Sequence, residues 1–107
     1  MADIWAEIVA ERARAHAKHG ATSMESCDPL ADRRLRVLTE EVGEVARVLN
    51  DREHGLGDLA YSGRYDVIER IAMRDLRAEL VQVAAMAVAW IAAVDGEALP
   101  MEEVRNA

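Results

Sequence analysis

Between Leu30 and about Asn50 the apolar residues Leu35, Leu38, Val42, Val45 and Leu49 recur at alternating steps of three and four, the repeat of one face of an α-helix. A stripe this regular has to be covered by a second apolar surface, so it constrains the fold more than any other stretch. Beside it, roughly 110° round the same helix at 100° per residue, run Val37, Glu41, Glu44 and Val48. Two acids therefore occupy the middle of a line whose ends are apolar.

The remaining segments are helical as well. Ile4, Trp5, Ile8, Val9, Arg12 and Ala15 predict a helix over 3–19, with Asp3 as its N-cap and Gly20 at its end. Ala21 to Pro29 mixes Thr, Ser, Cys, Asp and Pro and reads as a loop leading into the second helix near Leu30. Asp51 to Arg64 contains Gly55, Gly57, Ser62 and Gly63 and reads as a long connection. Helical pattern resumes near Tyr65 and runs to Val94, either unbroken or divided near Met73 into a short and a long helix, and Gly96 marks the stop. The tail from Glu97 holds Pro100, Glu102 and Glu103 and supports at most a short final helix.

Ala, Leu, Val, Glu and Arg are abundant, Phe is absent and Pro occurs twice, a composition that favours helices over strands. The expectation is a single all-α domain over 1–107, a helical bundle of three main helices plus short extra helices, completed by dimerisation. Val83 to Val94 is apolar nearly all round, and a chain of 107 residues can hardly bury such a helix alone. A homodimer or a dimer of dimers is the economical arrangement.

The formal charge of -7 argues against a nucleic-acid groove, which needs a clustered basic surface. Arg12, Arg14 and Lys18 form only a local basic edge. An acidic protein can still handle a polyphosphate when divalent cations stand between its carboxylates and the phosphate oxygens. Cys27 is the only cysteine, so no intramolecular disulfide forms and a reducing cytoplasm is the expected compartment. No basic and then apolar leader opens the sequence. Val83 to Val94 falls short of the ~20 residues of a membrane span, so no membrane partner is expected.

Asp75, Glu79, Gln82, Met86 and Trp90 form a line on the long helix beside the stripe Leu76, Leu80, Val83, Ala87 and Val94. If the second and long helices pack antiparallel, Glu41 and Glu44 face Glu79 and Gln82 and gather three carboxylates and one amide oxygen around a point. Such an oxygen-only set suits Mg²⁺ or Mn²⁺ rather than zinc. The alternative is a pair of solvated acidic faces, with Gln82 a buried amide that fixes helix register.

Other candidates are weaker. His16 and His19 lack a third nitrogen or sulfur ligand and read as partners of the helix C-terminal dipole or as surface. Lys18 would meet a phosphate if its end of the helix approaches the acids, and otherwise sits in solvent. Trp5 and Trp90 read as core or interface packing rather than a base-stacking pair. Glu25 and Asp28 flank Cys27 and disfavour a thiolate. Gly55, Gly57 and Gly63 lack the lysine and following helix of a phosphate loop.

The run Leu38, Thr39, Glu40, Glu41, Val42, Gly43, Glu44, Val45, Ala46 and the downstream run Leu76, Arg77, Ala78, Glu79, Leu80, Val81, Gln82, Val83, Ala84 resemble the two signature helices of the MazG-like nucleoside triphosphate pyrophosphohydrolases. The family pattern has two adjacent glutamates and a third after a two-residue gap. Downstream come a further glutamate and, after two intervening residues, an aspartate. Glu40, Glu41, Glu44 and Glu79 match this pattern, Gln82 stands where it has aspartate, and the connection from Glu44 to Glu79 is longer than in compact members.

The resemblance implies a helical fold whose protomers pair, binding Mg²⁺, with Mn²⁺ as a substitute. It implies hydrolysis of a nucleoside or deoxynucleoside triphosphate to the monophosphate and pyrophosphate, as in clearing unwanted nucleotides. It makes Glu41, Glu44 and Glu79 the metal ligands, Gln82 a weakened fourth, and Glu40 a base or a carboxylate behind the ligands. The alternative is a catalytically weak or inactive helical module that binds nucleotides or partners, which Gln82 and the long connection favour.

Overall fold

Asp3 caps the first helix as the sequence predicts, its side chain accepting a hydrogen bond from the Ala6 backbone N–H at 3.2 Å. The computed structural model describes residues 3–20, 24, 28–54 and 62–97. Among the described residues there are three helices, α1 (Ile4–His19), α2 (Asp32–Glu53) and α3 (Tyr65–Asp95), and no strand. The protein is all-α. The sequence readings at Cys27, Gly55, Gly57 and the tail beyond Glu97 lie outside the described residues.

Local chemistry sets the helix ends. Before α2, the Asp28 carboxylate accepts from the Leu30 N–H at 2.9 Å and the Asp28 carbonyl from the Ala31 N–H at 3.0 Å. This turn satisfies donors ahead of the helix and delays its start to Asp32. At the other extreme Gly96 adopts φ 75°, its N–H donating to Ala93 at 3.3 Å while the Glu97 N–H donates to Ala92 at 2.7 Å. Those two bonds are the paired closure that a left-handed glycine permits after a helix. Of the two alternatives near Met73, the unbroken helix is the one that forms. Ile71, Ala72, Met73 and Arg74 include neither Gly nor Pro, and α3 is continuous for 31 residues.

The central helix is α3, with α1 and α2 both packed against it. Arg52 Nε donates to Glu69 at 2.7 Å and Trp90 Nε1 donates to the Pro29 carbonyl at 2.8 Å, contacts that set α2 antiparallel to α3. Arg77 Nη1 donates to Glu7 at 2.9 Å, and Arg12 Nη2 reaches the Glu97 carbonyl at 3.4 Å, so α1 runs parallel to α3. The core gathers Ile8, Ala15, Met24, Ala85, Met86 and Ala89, with Val37, Leu38, Val81, Ala84, Val88 and Trp90 packed around them. Small alanines on α3 allow both neighbours a close approach.

The faces that meet inside this arrangement are the acid-bearing lines. On α2, Val48 is buried and Val37, Glu41 and Glu44 are half-buried, whereas Leu35, Val42 and Leu49 of the apolar stripe remain 58%, 52% and 48% exposed. On α3, Leu80, Ile91 and Val94 are likewise about half exposed or more. This helix holds an 18-residue window of mean hydropathy 1.6, enough by length and composition to cross a membrane, although Val83 to Val94 alone is too short. Only 17% of that window is buried within the chain.

Candidate functional site

Glu41 sits mid-way along α2 and Glu79 mid-way along α3, and the antiparallel register brings them to the same level of the bundle. The Oε2 atoms of both are enclosed without a hydrogen-bond partner. Burial first, then the negative charges of Glu79, Glu44, Glu11 and Glu40, push the Glu41 carboxyl above its ordinary value. A buried carboxylate oxygen with no donor is costly to maintain. Here further acids add to that cost.

The other predicted ligands are placed less directly. Glu44 is half-buried and turned along its own helix to Arg47 Nη2 at 2.5 Å. Gln82 lies on the Glu79 side of α3, half-buried, and lines a cleft with Glu41. Glu40 is exposed, directed away from the acid pair by the 100° step of the helix. Among the described residues no three His, Cys, Asp or Glu side chains are gathered closely enough to hold a metal ion. The Arg47 pair holds Glu44 back, and the fourth position is an amide.

The donor set nevertheless suits a hard divalent cation. It consists of oxygen alone, it carries unmet negative charge, and Glu44 needs only to leave an i,i+3 ion pair that is 45% exposed on its acid side, a contact worth little in water.

The cleft has a volume of about 190 Å³ and is bounded by all three helices. Glu41, Gln82, Val37 and Met86 form its floor, and α1 supplies Glu11, Arg12, Arg14, His16, Lys18 and His19 as a wall. Arg14 forks onto Glu11, Nε to Oε2 at 2.9 Å. That hydrogen bond and the charge of Glu11 hold Arg14 more firmly protonated, burial opposes them, and Glu41 adds a smaller favourable share.

Lys18 is exposed and lines the same cleft as Glu41. Periodicity alone does not join Glu11, Arg12 and Arg14 to the same site, because the cleft depends on how α1 sits over two other helices. Their clustering in an acidic chain was the available signal.

Two aromatic and two histidine positions resolve differently. His16, expected as a dipole partner or surface residue, is 3% exposed, since it falls on the core side of α1 beside Ala15. His19 is exposed. Trp90 packs against the core and donates to the Pro29 carbonyl, while Trp5 is 71% exposed on the outer side of α1. No family model, no curated protein and no solved structure matches the chain.

Proposed function

We propose that the protein is a Mg²⁺-dependent nucleotide pyrophosphohydrolase of the MazG-like kind, splitting a nucleoside or deoxynucleoside triphosphate into the monophosphate and pyrophosphate. The observation that carries this reading is the pair of enclosed, donorless Oε2 atoms of Glu41 and Glu79 on facing helices. Two such oxygens in one place call for a shared cation, and no Lys or Arg within the described residues donates to either. Glu41 and Glu79 would hold the ion, Glu44 would join on leaving Arg47, and Gln82 would add a neutral oxygen.

When bound, Mg²⁺ (or Mn²⁺ in its place) offsets phosphate charge and makes a water more acidic. The chain's own contribution is to hold acids on rigid helices, so that their positions change little when the substrate arrives. The resemblance makes Glu40 a base or a carboxylate behind the ligands, but it is exposed and faces away from the acid pair, so no proton transfer is assigned to it.

A second copy of the chain completes the bundle in this reading. The surface it would cover carries the half-exposed apolar side chains Leu35, Val42 and Leu49 of α2 and Leu80, Ile91 and Val94 of α3. A membrane is a poorer cover, because α3 carries Asp75, Arg77 and Glu79 within a few residues and such groups are costly in lipid. In this reading the protein is paired and cytoplasmic.

The test is pyrophosphate release from a panel of nucleoside triphosphates with Mg²⁺, using the wild type and Glu44→Ala. Release by the wild type, abolished in the variant, is expected. No release from any ordinary or modified nucleotide defeats the catalytic claim. A second reading, a helical module that binds nucleotides without turnover, is favoured by Gln82 at the fourth position and by the Glu44–Arg47 pair. Calorimetry with Mn²⁺ and a non-hydrolysable nucleotide separates it from a purely structural bundle, which binds neither.

A further inference from the structure

Resting on the reading of this site as one that takes nucleotides, we propose that the cleft binds the polyphosphate chain alone, with Arg14 and Lys18 of α1 as its anion-holding side chains, and leaves the base outside. The chain is acidic overall at -7, yet 11–19 contains Arg12, Arg14, Lys18, His16 and His19 against one acid, Glu11. All of these residues line one cleft, together with Glu41 and Gln82. Positive charge therefore shares the cleft with Glu41, one of the acids that would carry the cation. A phosphate chain in such a cleft meets both the cation and the basic side chains.

The helix dipole is the competing explanation for basic residues at the end of α1. It favours cations in the last turn, which covers Lys18 and His19, and it falls off beyond that turn. Arg12 and Arg14 lie further from the end of the helix at His19. Both nevertheless line the cleft, although at 100° per residue they lie about 200° apart round α1. The dipole explains part of the pattern and the cleft explains all of it.

Size limits what enters. Pockets that enclose a whole drug-sized ligand run to roughly 300–1,000 Å³, and this cleft is about 190 Å³. It is too small to enclose a nucleoside together with its phosphates. Arg14 already presents its planar fork to a carboxylate, Glu11, and the same fork fits a phosphate. Lys18 is exposed, with no ion pair among the described residues. An incoming phosphate thus meets one guanidinium that exchanges partners and one ammonium that gains one.

The experiment is calorimetry of the full chain with inorganic tripolyphosphate in Mg²⁺, alongside the uncharged nucleoside adenosine. Tripolyphosphate should bind and adenosine should not. Arg14→Ala and Lys18→Ala should each weaken tripolyphosphate by roughly tenfold or more, with Arg36→Ala, on the exposed side of α2, unchanged. Alanine is the best helix former, so these variants keep α1 intact, and coincident thermal melts verify it.

Equal binding by Arg14→Ala, Lys18→Ala and the wild type overturns the assignment, as does adenosine binding as tightly as tripolyphosphate. Nucleotide hydrolysis unaffected by both variants likewise overturns it and leaves the enzymatic reading standing. Tripolyphosphate binding that depends on Arg14 and Lys18, without hydrolysis of any nucleotide, supports the anion site and defeats the catalytic reading alone.

Discussion

Glu41 of α2 and Glu79 of α3 each turn an Oε2 atom into the bundle where no donor meets it, and burial, with the charge of Glu79 behind it, raises the pKa of Glu41. On the proposed reading a bound cation offsets the cost of burying such a pair, and the chain is less stable empty than filled.

Removing one charge should therefore help the empty protein. Glu41→Gln or Glu79→Gln is expected to raise unfolding stability in chelator by on the order of 1 kcal/mol. The wild type should gain about 2.7 kcal/mol from Mg²⁺ at a hundred times its dissociation constant, a gain absent from both variants. Urea titrations with and without the ion measure both quantities.

Acidity should affect the empty protein through the same group. The folded-state Glu41 carboxyl lies above its ordinary value of 4.5, so the folded chain keeps this proton at a pH where the unfolded chain has lost it. The stability it contributes is fully present below 4.5 and disappears as pH rises through the raised value. Glu7 runs the other way. Its hydrogen bond from Arg77 lowers its pKa, so its contribution is present above the ordinary value and lost on acidification. Denaturation midpoints of the wild type and Glu41→Gln, compared across pH in chelator, isolate the first effect as a gap that widens upward from 4.5.

How far the sequence could be read follows from what periodicity carries. It located α1, α2 and α3 from residues such as Leu38, Val45 and Leu76, and it placed Gly20 and Gly96 at helix ends. It also put Glu41 on a line with Val37 and Val48. A repeat cannot say whether a helix face is covered by its own chain or by another, so the inward turn of Glu41 and the exposure of Val42 emerged only with the packing. The burial of His16 and the cleft joining Arg14 to Gln82 depend on three helices at once. Gly43 shows the same limit, since a Cβ there would meet nothing within the chain.

The exposed stripe makes association measurable. Scattering-detected chromatography should return twice the chain mass of 11.8 kDa or a higher even multiple. Val42→Glu or Ile91→Glu should shift it to the monomer, since each buries a charge in an apolar interface at a cost of several kcal/mol. A monomeric wild type, or recovery of the protein with membranes, contradicts a second copy as the cover.

Restoring charge at the amide position is the constructive variant. Gln82→Asp adds a carboxylate beside Glu79 and should raise Mg²⁺ affinity by roughly tenfold, because affinity at oxygen sites follows ligand charge. It should also lower the stability of the empty chain. Calorimetry and chelator-phase denaturation read the two changes, and an unchanged affinity places Gln82 outside the ligand set.

The most direct measurement is a Mn²⁺ titration followed by electron paramagnetic resonance, in which free Mn²⁺ gives the sharp signal. The account expects the wild type to quench that signal saturably, with Glu41→Gln and Glu79→Gln each leaving it close to that of buffer. A signal untouched by the wild type, or quenched equally by both variants, contradicts a cation shared between the two helices.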